Sequence, residues 1–428
     1  MKKPTIVAPG GSYEKAIIAS KYGAEEVYIG VPFTSLRMRQ NKVRDFDILK
    51  KTIQAIHDNG SKALLTMNIF PRNTDIKVFE SVVEKISDTN PDAIIFSDPG
   101  TFNVLRKHFP NVPLHLSTQT STLNYESIKF RRDLGVKRII LARELHIEEI
   151  KEIRKKVPDI ELEVFVHGAM CMSYSGRCLL GDYMAGRQAN KGECNHACRF
   201  KYKVRLEEER RPGKFFQLDG DEDGSYILSS RDLCTIDKLQ EILPYVDAIK
   251  IEGRSKSEFY VGAVVKAYKE VRDAILEGRE PDLQIKELVE KIPHRKYRDG
   301  FLFNGLKDFP ETESMENTLD NETANTKDVY QGSTTLTSGG PEFCRNYFGV
   351  FKDKFIEKNG KRYFEFNPKE VIKRGQRLNF ISSNDIGELE IVDIIKEGGQ
   401  ELEKATCNTP KVFVLTNKEL NGWEILYE

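Results

Sequence analysis

The sequence has no excess of charge of either sign and no long apolar run. Its 66 lysines and arginines are balanced by 66 aspartates and glutamates, so the formal net charge is zero. This balance excludes a globally basic nucleic-acid-binding protein, although a local basic face is compatible with it. No apolar run approaches the roughly 18 residues of a membrane span. The apolar run that ends at Pro9 is also too short for a signal-peptide core. These absences predict a cytoplasmic protein with no membrane partner.

Cysteine is scarce and unevenly distributed. There are seven cysteines, an odd number that argues against a disulfide framework in a reducing compartment. Cys344 and Cys407 are isolated and are interpreted as structural thiols, whereas five cysteines lie between residues 171 and 234. A crowded set of thiols in such a compartment is more typical of metal or redox chemistry.

The first 280 residues alternate short aliphatic runs with amphipathic stretches, among them Tyr13–Tyr22 and Ile147–Lys155, and Ser12 and Asn124 are expected N-caps. Eight strands, each followed by a helix, predict an α/β fold with an eight-fold β/α (TIM-like) barrel. A doubly wound open sheet is the alternative. The runs have the character of strands buried on both faces, and they are Thr5–Ala8, Glu26–Ile29, Ala63–Asn68, Ala93–Phe96, Leu114–Ser117, Arg138–Leu141, Glu161–Val166 and Asp247–Ile251.

Composition and spacing predict three further segments of the 428-residue chain. The barrel is expected over residues 1–305, interrupted by a long Cys-rich insertion over 167–245 that leaves the C-terminal end of the seventh strand, where barrel enzymes place their chemistry. An acidic polar linker is expected over 306–335. Short alternating runs then predict a small all-β, barrel-like C-terminal domain over 336–428.

Polar residues or glycines follow most of the predicted strands and should line one end of the barrel. Gly10 and Gly11 open a helix, whose free N–H groups can hold an anion; the alternative is that they only permit a tight turn. His167 is either a catalytic residue or a hydrogen-bonded strand-end histidine. The predicted catalytic set is His167, Arg143 and Glu252.

The cysteine spacing favours an iron–sulfur cluster. Only Cys194 and Cys198 have the spacing of a zinc knuckle, because six residues separate Cys171 from Cys178. Four irregularly spaced thiolates in a loop suit an iron–sulfur cluster better. Buried structural cysteines and a Cys–His nucleophile pair are the alternatives, although the sequence has no recognised hydrolase motif.

Several long motifs resemble the U-thirty-two peptidase family, which is collagenase-like and of unassigned catalytic type. The resemblance covers most of residues 4–305 and, more weakly, the C-terminal strands. The motifs that carry it are Ala8–Gly11, Gly23–Gly30, Leu141–Leu145, Glu163–Cys171, Ser175–Cys178, Gly186–Cys194, Cys198–Arg199, Ser230–Cys234 and Lys250–Arg254.

The resemblance implies hydroxylation rather than proteolysis. Branches of this family are hydroxylation proteins that act on tRNA wobble uridine with prephenate implicated, on 23S rRNA, or on ubiquinone precursors. The ubiquinone branch holds a 4Fe–4S cluster, whose ligands would fall by position on Cys171, Cys178, Cys194 and Cys234, with Cys198 spare. The Cys-rich loop and the C-terminal β domain are most similar to the tRNA branch, which forms 5-hydroxyuridine. A peptidase and a zinc-stabilised RNA-binding scaffold are the alternatives.

The implied partners are a tRNA anticodon loop and a small dicarboxylate such as prephenate. Guanidinium groups grip carboxylates bidentately, and a structural salt bridge is the alternative role, with Arg143 beside Glu144 as the clearest case. RNA needs basic and aromatic surface, which Arg199–Arg205 and His294–Arg298 supply. The remaining candidates for binding the small molecule are Gly10, Gly11, Arg37, Arg177, Arg187 and Arg254.

Overall fold

The computed structural model describes most of the chain, namely residues 2–36, 38, 41–200, 206–207, 215–216, 230–303, 346–409 and 411–428. Arg37, the predicted linker at 306–335 and residues 201–205 of the first basic strip lie outside the described residues. No described helix has the length and apolar character needed to cross a membrane.

Eight parallel strands close into a barrel, as the periodicity predicts. Neighbouring strands pair in chain order from β1 to β7, and β11 closes the ring by pairing in parallel with both β1 and β7. The strands are β1 Thr5–Pro9, β2 Glu26–Gly30, β3 Lys62–Met67, β4 Ala93–Phe96, β5 Leu114–Leu116, β6 Arg138–Ile140, β7 Glu161–Ala169 and β11 Ala248–Ile251.

Helices surround this barrel and cover its apolar outer face. The predicted caps are confirmed: the Ser12 side chain accepts from Lys15 N–H and the Asn124 side chain from Ser127 N–H. The helices are α1 Tyr13–Tyr22, α2 Phe46–Asp58, α3 Asn73–Lys85, α4 Pro99–His108, α5 Tyr125–Asp133, α6 Ile147–Lys156, α7 Leu180–Ala185, α8 Leu239–Ile242, α9 Glu258–Glu277, α10 Leu283–Lys286 and α11 Leu288–Lys291.

The seventh strand runs beyond the barrel and starts the insertion. Its last residues pair antiparallel with β10 (Asp232–Cys234), which pairs in parallel with β12 (Tyr297–Arg298). Between them lie α7, three short 3₁₀ turns and the hairpin of β8 (Leu206–Glu207) and β9 (Phe215–Phe216). The insertion therefore begins at the C-terminal end of the barrel, as its position in the sequence predicts.

The C-terminal strands form a second closed barrel, antiparallel and six-stranded, in the order β13-β14-β19-β17-β16-β20. A separate two-stranded pair, β15 and β18, lies beside it. The strands are β13 Tyr347–Lys358, β14 Lys361–Pro368, β15 Ile372–Lys373, β16 Arg377–Ile381, β17 Ile386–Lys396, β18 Lys404–Ala405, β19 Val412–Thr416 and β20 Ile425–Tyr427.

The small barrel packs against α1 and α9 of the large one. Tyr22 of α1 is fully buried, and its hydroxyl lies 2.8 Å from Ile381 O and 2.9 Å from Trp423 O. Trp423 and Ile425 belong to the same apolar cluster as the core of the large barrel. The junction residues of the small barrel therefore belong to the core of the large one, while the small barrel also has a separate core cluster that includes Phe351 and Phe364.

The base of the large barrel is filled by buried charges. Arg138 Nη2 donates to Glu26 Oε1 over 3.0 Å, and Lys250 Nζ donates to Glu163 Oε1 over 2.6 Å. Arg138 Nη1 also donates to Glu163 Oε2 over 3.1 Å, so each buried ion has a partner of opposite sign. An apolar layer that includes Tyr28 and Phe165 lies inside the barrel as well.

Candidate functional site: a thiol-lined cavity at the barrel mouth

A cavity opens at the C-terminal end of the barrel strands, beneath the insertion. It contains about 1030 Å³ of empty space when its opening to solvent is included. Polar strand-end residues predicted to line one end do so, including Asn68, Gln119, Arg143, Glu252 and Arg254. From the insertion come Cys171, Ser175, Cys178, Cys194, His196, Cys198 and Arg199.

The insertion is held over the mouth by contacts with loops that follow four barrel strands, β2, β3, β5 and β6. These contacts fix segment 171–199 against the barrel from several sides. They are Met38 N–H to Gly192 O (3.1 Å), Phe70 N–H to Asn190 O (3.1 Å), Arg177 Nε–H to Gln119 O (2.7 Å) and Ser175 N–H to the Glu144 carboxylate.

Four thiols of the insertion line this one cavity: Cys171, Cys178, Cys194 and Cys198. Burial raises the pKa of the Cys198 thiol; the charge on Arg199 lowers it, and charge on Cys171, Cys194 and Cys178 raises it.

The fifth thiol, Cys234, is not among the residues that line the cavity, and its expected place among the ligands stays a prediction. It pairs with His167 across β10 and β7, and it faces α9, where the Tyr268 hydroxyl lies 3.9 Å from its sulfur. Burial raises the pKa of Cys234 to about 12. Because β10 runs outside the ring of eight strands, its side chain does not line the cavity.

The donor set fits a four-thiolate cluster in type and number. No three of the described Cys, His, Asp and Glu side chains converge closely enough for a single metal ion. A 4Fe–4S cluster binds each thiolate through a different iron and so needs more widely spaced sulfurs. Cys171, Cys178, Cys194 and Cys198 would hold it, and the cluster itself stays a prediction.

Arg143 lies between the barrel wall and the thiols. Its Nη1 donates to Ala169 O over 3.2 Å and its Nη2 to Cys171 Sγ over 3.7 Å. Its guanidinium also stacks 5.0 Å from the centre of the Phe165 ring. The expected salt bridge to Glu144 is wrong, because that carboxylate binds Ser175 instead.

Arg254 is buried and anchored to the loop after β2. Its Nη1 donates to Ser35 Oγ over 2.7 Å and to Thr66 Oγ1 over 3.1 Å, and its Nη2 donates to Leu36 O over 2.7 Å. Since these bonds occupy much of the guanidinium, Arg254 shapes the cavity wall and adds positive charge there.

Gly10 does not offer the free N–H group expected of an anion site. Its N–H donates to Tyr28 O over 2.9 Å, within the barrel wall. A Cβ on Gly11 would lie 2.1 Å from Arg254 O, so this glycine allows close packing of the chain beneath the cavity. The binding role of Gly11 stays a prediction.

His167 is not in the cavity, which corrects its predicted catalytic role. A β-bulge shifts the register of β7 against β11 between Phe165 and His167, so the imidazole faces α9. There it packs against the rings of Tyr260, Tyr268 and Tyr297. Burial, with smaller contributions from Lys256 and His294, lowers its pKa to about 3.

The remaining predicted binding residues lie outside the cavity lining. Arg177 is exposed and stacks on Phe70 besides bonding to the β5 loop, and Arg187 is half-buried, with its backbone N–H donating to Gly181 O. The second basic strip is mostly structural: His294 and Arg295 are buried, and Arg295 pairs with Asp232. Lys296 is exposed, so contact of the rest of this strip with RNA stays a prediction.

Tyr28 and Lys250 line the cavity but were not predicted from the sequence. Arg199 also lines it, although the sequence indicated only a place in a basic surface strip. Lys250 lies within a short aliphatic run, and a lysine inside a buried strand is itself the signal that was overlooked. Among the described lining residues, Arg143, Arg199, Lys250 and Arg254 oppose one carboxylate, that of Glu252. The cavity is therefore suited to an anionic ligand.

The fold and site together define a class of β/α-barrel protein with four thiols and a basic cavity beneath an inserted segment at its mouth. The chain belongs to Peptidase family U32, whose model matches residues 11–309. This assignment confirms the family resemblance carried by the sequence motifs.

The relatives that sequence comparison identifies are named for different activities. The chain is 37% identical over 340 residues to the tRNA hydroxylation protein P of Escherichia coli K12, covering 71% of this chain and 75% of that protein. It is 32% identical over 311 residues to a collagenase of Porphyromonas gingivalis W83, covering 69% and 72%. It is 31% identical over 276 residues to the 23S rRNA 5-hydroxycytidine synthase of E. coli K12, covering 64% and 40%.

Proposed function

We propose that this protein is an RNA-modifying enzyme that hydroxylates the wobble uridine of tRNA to 5-hydroxyuridine. The observation that carries the proposal is the gathering of four thiols and four cationic side chains around one cavity at the barrel mouth. The relative at 37% identity, named a tRNA hydroxylation protein, supports the substrate class.

The proposal includes a 4Fe–4S cluster on Cys171, Cys178, Cys194 and Cys198, which supplies electron or oxygen-atom transfer when bound. Arg143 donates to Cys171 Sγ and so stabilises negative charge on that sulfur. The insertion shields the thiols, since its contacts with the barrel loops close the cavity on one side.

The chain's own residues are suited to bind a small dicarboxylate such as prephenate. The cavity's guanidinium and ammonium groups attract carboxylates, and Glu163 holds the Lys250 ammonium in place from below over 2.6 Å. Replacing C5–H of uridine by C5–OH adds one oxygen atom and is a two-electron oxidation, so the proposed hydroxyl donor must supply both the oxygen atom and the oxidising equivalents while the C5 proton leaves. Glu252, as the carboxylate of the described lining, is the residue we assign to accept it.

The experiment is mass-spectrometric analysis of wobble uridine in tRNA from a strain that lacks this protein. We expect 5-hydroxyuridine to disappear, to return with the wild-type gene, and to stay absent with Glu252→Gln. Hydroxyuridine at the wild-type level in the deletion strain would defeat the proposal. Adding or withholding prephenate in a purified assay then tests the donor separately.

A collagenase-like peptidase is the second candidate, because His196 shares the cavity with the four thiols. The raised pKa of Cys198 counts against it, since a nucleophilic cysteine needs a lowered pKa. Gelatin cleavage by the purified protein that survives iron removal and is lost in His196→Ala would favour this candidate.

A further inference from the structure

Large apolar side chains are exposed on the outer side of the insertion. Of the fifteen exposed large hydrophobic residues in the described part of the chain, six lie between residues 172 and 200. Tyr183 is 85% exposed and Leu179 is 61% exposed. We call the six residues the rim, and they are Met172, Tyr174, Leu179, Tyr183, Met184 and Phe200. Such a concentration on one short segment is typical of a binding surface.

The rim is continuous with the segment that lines the cavity. Met172 itself lines the cavity, and Tyr174 lies between two lining residues in the chain. Leu179 follows the lining residue Cys178, and Phe200 follows Arg199. Tyr183 and Met184 belong to α7, which packs against the turn Ala197–Arg199. The exposed apolar side chains and the four thiols therefore belong to the same short segment.

Positive charge accompanies the rim. Segment 171–200 contains four basic residues and two acidic ones, and Arg177 among them is exposed. The Arg177 Nε–H donates to Gln119 O over 2.7 Å, which fixes this side chain at the surface of the insertion.

We propose that the rim stacks the unpaired bases of an RNA loop while Arg177 holds a phosphate beside them. Aromatic side chains interleaved with arginines are the usual surface for single-stranded RNA, because every base offers a face for stacking and every phosphate accepts from a guanidinium. The inference rests on the proposed function and deepens it by naming the surface that presents the loop to the cavity.

Charge complementarity selects RNA over the other occupants of an apolar surface. Aromatic residues, methionine and arginine are also enriched in protein–protein interfaces, so the excess of positive charge is what favours RNA here: segment 171–200 has four basic and two acidic residues, and Arg177 is exposed. The rim also mixes tyrosine with methionine and leucine on short turns, rather than forming the long amphipathic helix that typically lies on a membrane.

The test uses the full-length protein and a fluorescent anticodon stem–loop with an unmodified wobble uridine, with affinity followed by anisotropy. Tyr183→Ala should weaken binding of the stem–loop by about 5- to 100-fold through loss of stacking. Tyr183→Trp should retain it. A blunt RNA duplex of the same length should bind both variants equally, because its bases stay stacked.

Arg177→Gln tests the phosphate contact. It should weaken stem–loop and duplex alike and lower the dependence of log affinity on log salt by about one unit or slightly less. The matched apolar control is Leu283→Ala, whose side chain is 64% exposed. Leu283 lies on α10, beyond the end of α9 and so away from the mouth, and its replacement should change neither affinity.

Unchanged stem–loop affinity in Tyr183→Ala and in Tyr174→Ala overturns the proposal, as does a Tyr183-dependent attachment to anionic phosphatidylserine vesicles in a flotation assay. Both results leave the proposed hydroxylation standing if the deletion strain lacks hydroxyuridine. Conversely, hydroxyuridine that persists in that strain defeats the proposed function, even where the rim binds the loop.

Discussion

Two cysteines 36 positions apart, one in the turn Ala197–Arg199 and one on β10, illustrate how far the role of a thiol depends on where the fold places it. Cys198 lines the cavity with three other thiols, whereas Cys234 faces α9 and the Tyr268 hydroxyl. Their chemical type is identical, so only the fold separates them. This separation reverses the order in which the sequence ranked them as ligands.

Cys198→Ser is expected to abolish the bound iron, while Cys234→Ser keeps it, because only the first removes a thiolate from the cavity. The measurement is the number of iron atoms per chain in anaerobically purified protein. The absorbance at roughly 400 nm, where thiolate–iron charge transfer lies, is recorded on the same sample. Iron lost in Cys234→Ser and retained in Cys198→Ser would return the ligand assignment to Cys234.

His167 should make stability depend on pH. Its pKa of about 3 in the folded protein lies below the ordinary value of 6.5, because burial disfavours the charged ring. At pH values between these two pKa values, His167 carries a proton in the unfolded chain but not in the folded one. The free energy of unfolding therefore decreases as the pH falls through that range. His167→Phe should reduce this slope by up to about 1.4 kcal/mol per pH unit.

The measurement is urea unfolding at several pH values from neutral to about pH 4, within the range set by histidine titration. Tyr260→Phe is the matched control, since it alters the same aromatic cluster without removing a group that titrates there. An identical slope in His167→Phe and the wild type would contradict the burial of a neutral imidazole.

At the scale of elements, the start of α1 packs directly on the segment that follows β11. A Cβ at Gly11 would meet Arg254 O at 2.1 Å, so Gly11→Ala must push α1 away from that segment. We expect a loss of about 1–3 kcal/mol, seen as a lower midpoint of chemical unfolding.

Gly398→Ala is the control for that substitution, because its Cβ would meet nothing within 4 Å. Its effect should stay within about 0.5 kcal/mol. Equal midpoints for the two variants would show that α1 tolerates the displacement.

The elements themselves were largely predictable, because strand and helix periodicities are local. The eight buried strands and the caps at Ser12 and Asn124 followed from short windows of sequence. The three-residue strand Ile425–Tyr427 was missed, since so short a run carries no alternation. The placement of His167 depends on a bulge defined by pairing with another strand, which alternation along one strand does not reveal.

The sequence predicted the location of the site better than the identity of the residues that form it. Parallel strands carry their C-terminal ends to one face, so Arg143, Glu252 and Arg254 were expected together and line the cavity together. The conformation of the insertion was not predictable, because its turns depend on contacts with four separate loops. The division between Cys198 and Cys234 follows from that conformation.

At the scale of the whole molecule, the two barrels are expected to unfold together. Tyr22→Phe removes the buried hydroxyl that bridges to Ile381 O and Trp423 O, which should cost about 1–3 kcal/mol. Trp423 is the one tryptophan of the sequence and lies at this junction. Its fluorescence should therefore change at lower denaturant in Tyr22→Phe, ahead of the circular dichroism signal.

Tyr125→Phe is the control, because α5 lies across the large barrel from α1 and its ring takes no part in the junction. In that variant and in the wild type, the fluorescence and dichroism midpoints should coincide. Coincident midpoints in Tyr22→Phe as well would mean that the hydroxyl bridge does not hold the barrels together.

The attachment of the insertion at four loops also affects how the protein can change over generations. Once one contact between the insertion and a barrel loop has formed, the other contacts form within the same chain, so their partners meet at a high effective concentration. A substitution that faces solvent between two attachments then leaves the inward sulfurs where they are. Selection can thus change the outer side chains, which recognise the target, almost independently of the inner cysteines on the same thirty-residue stretch.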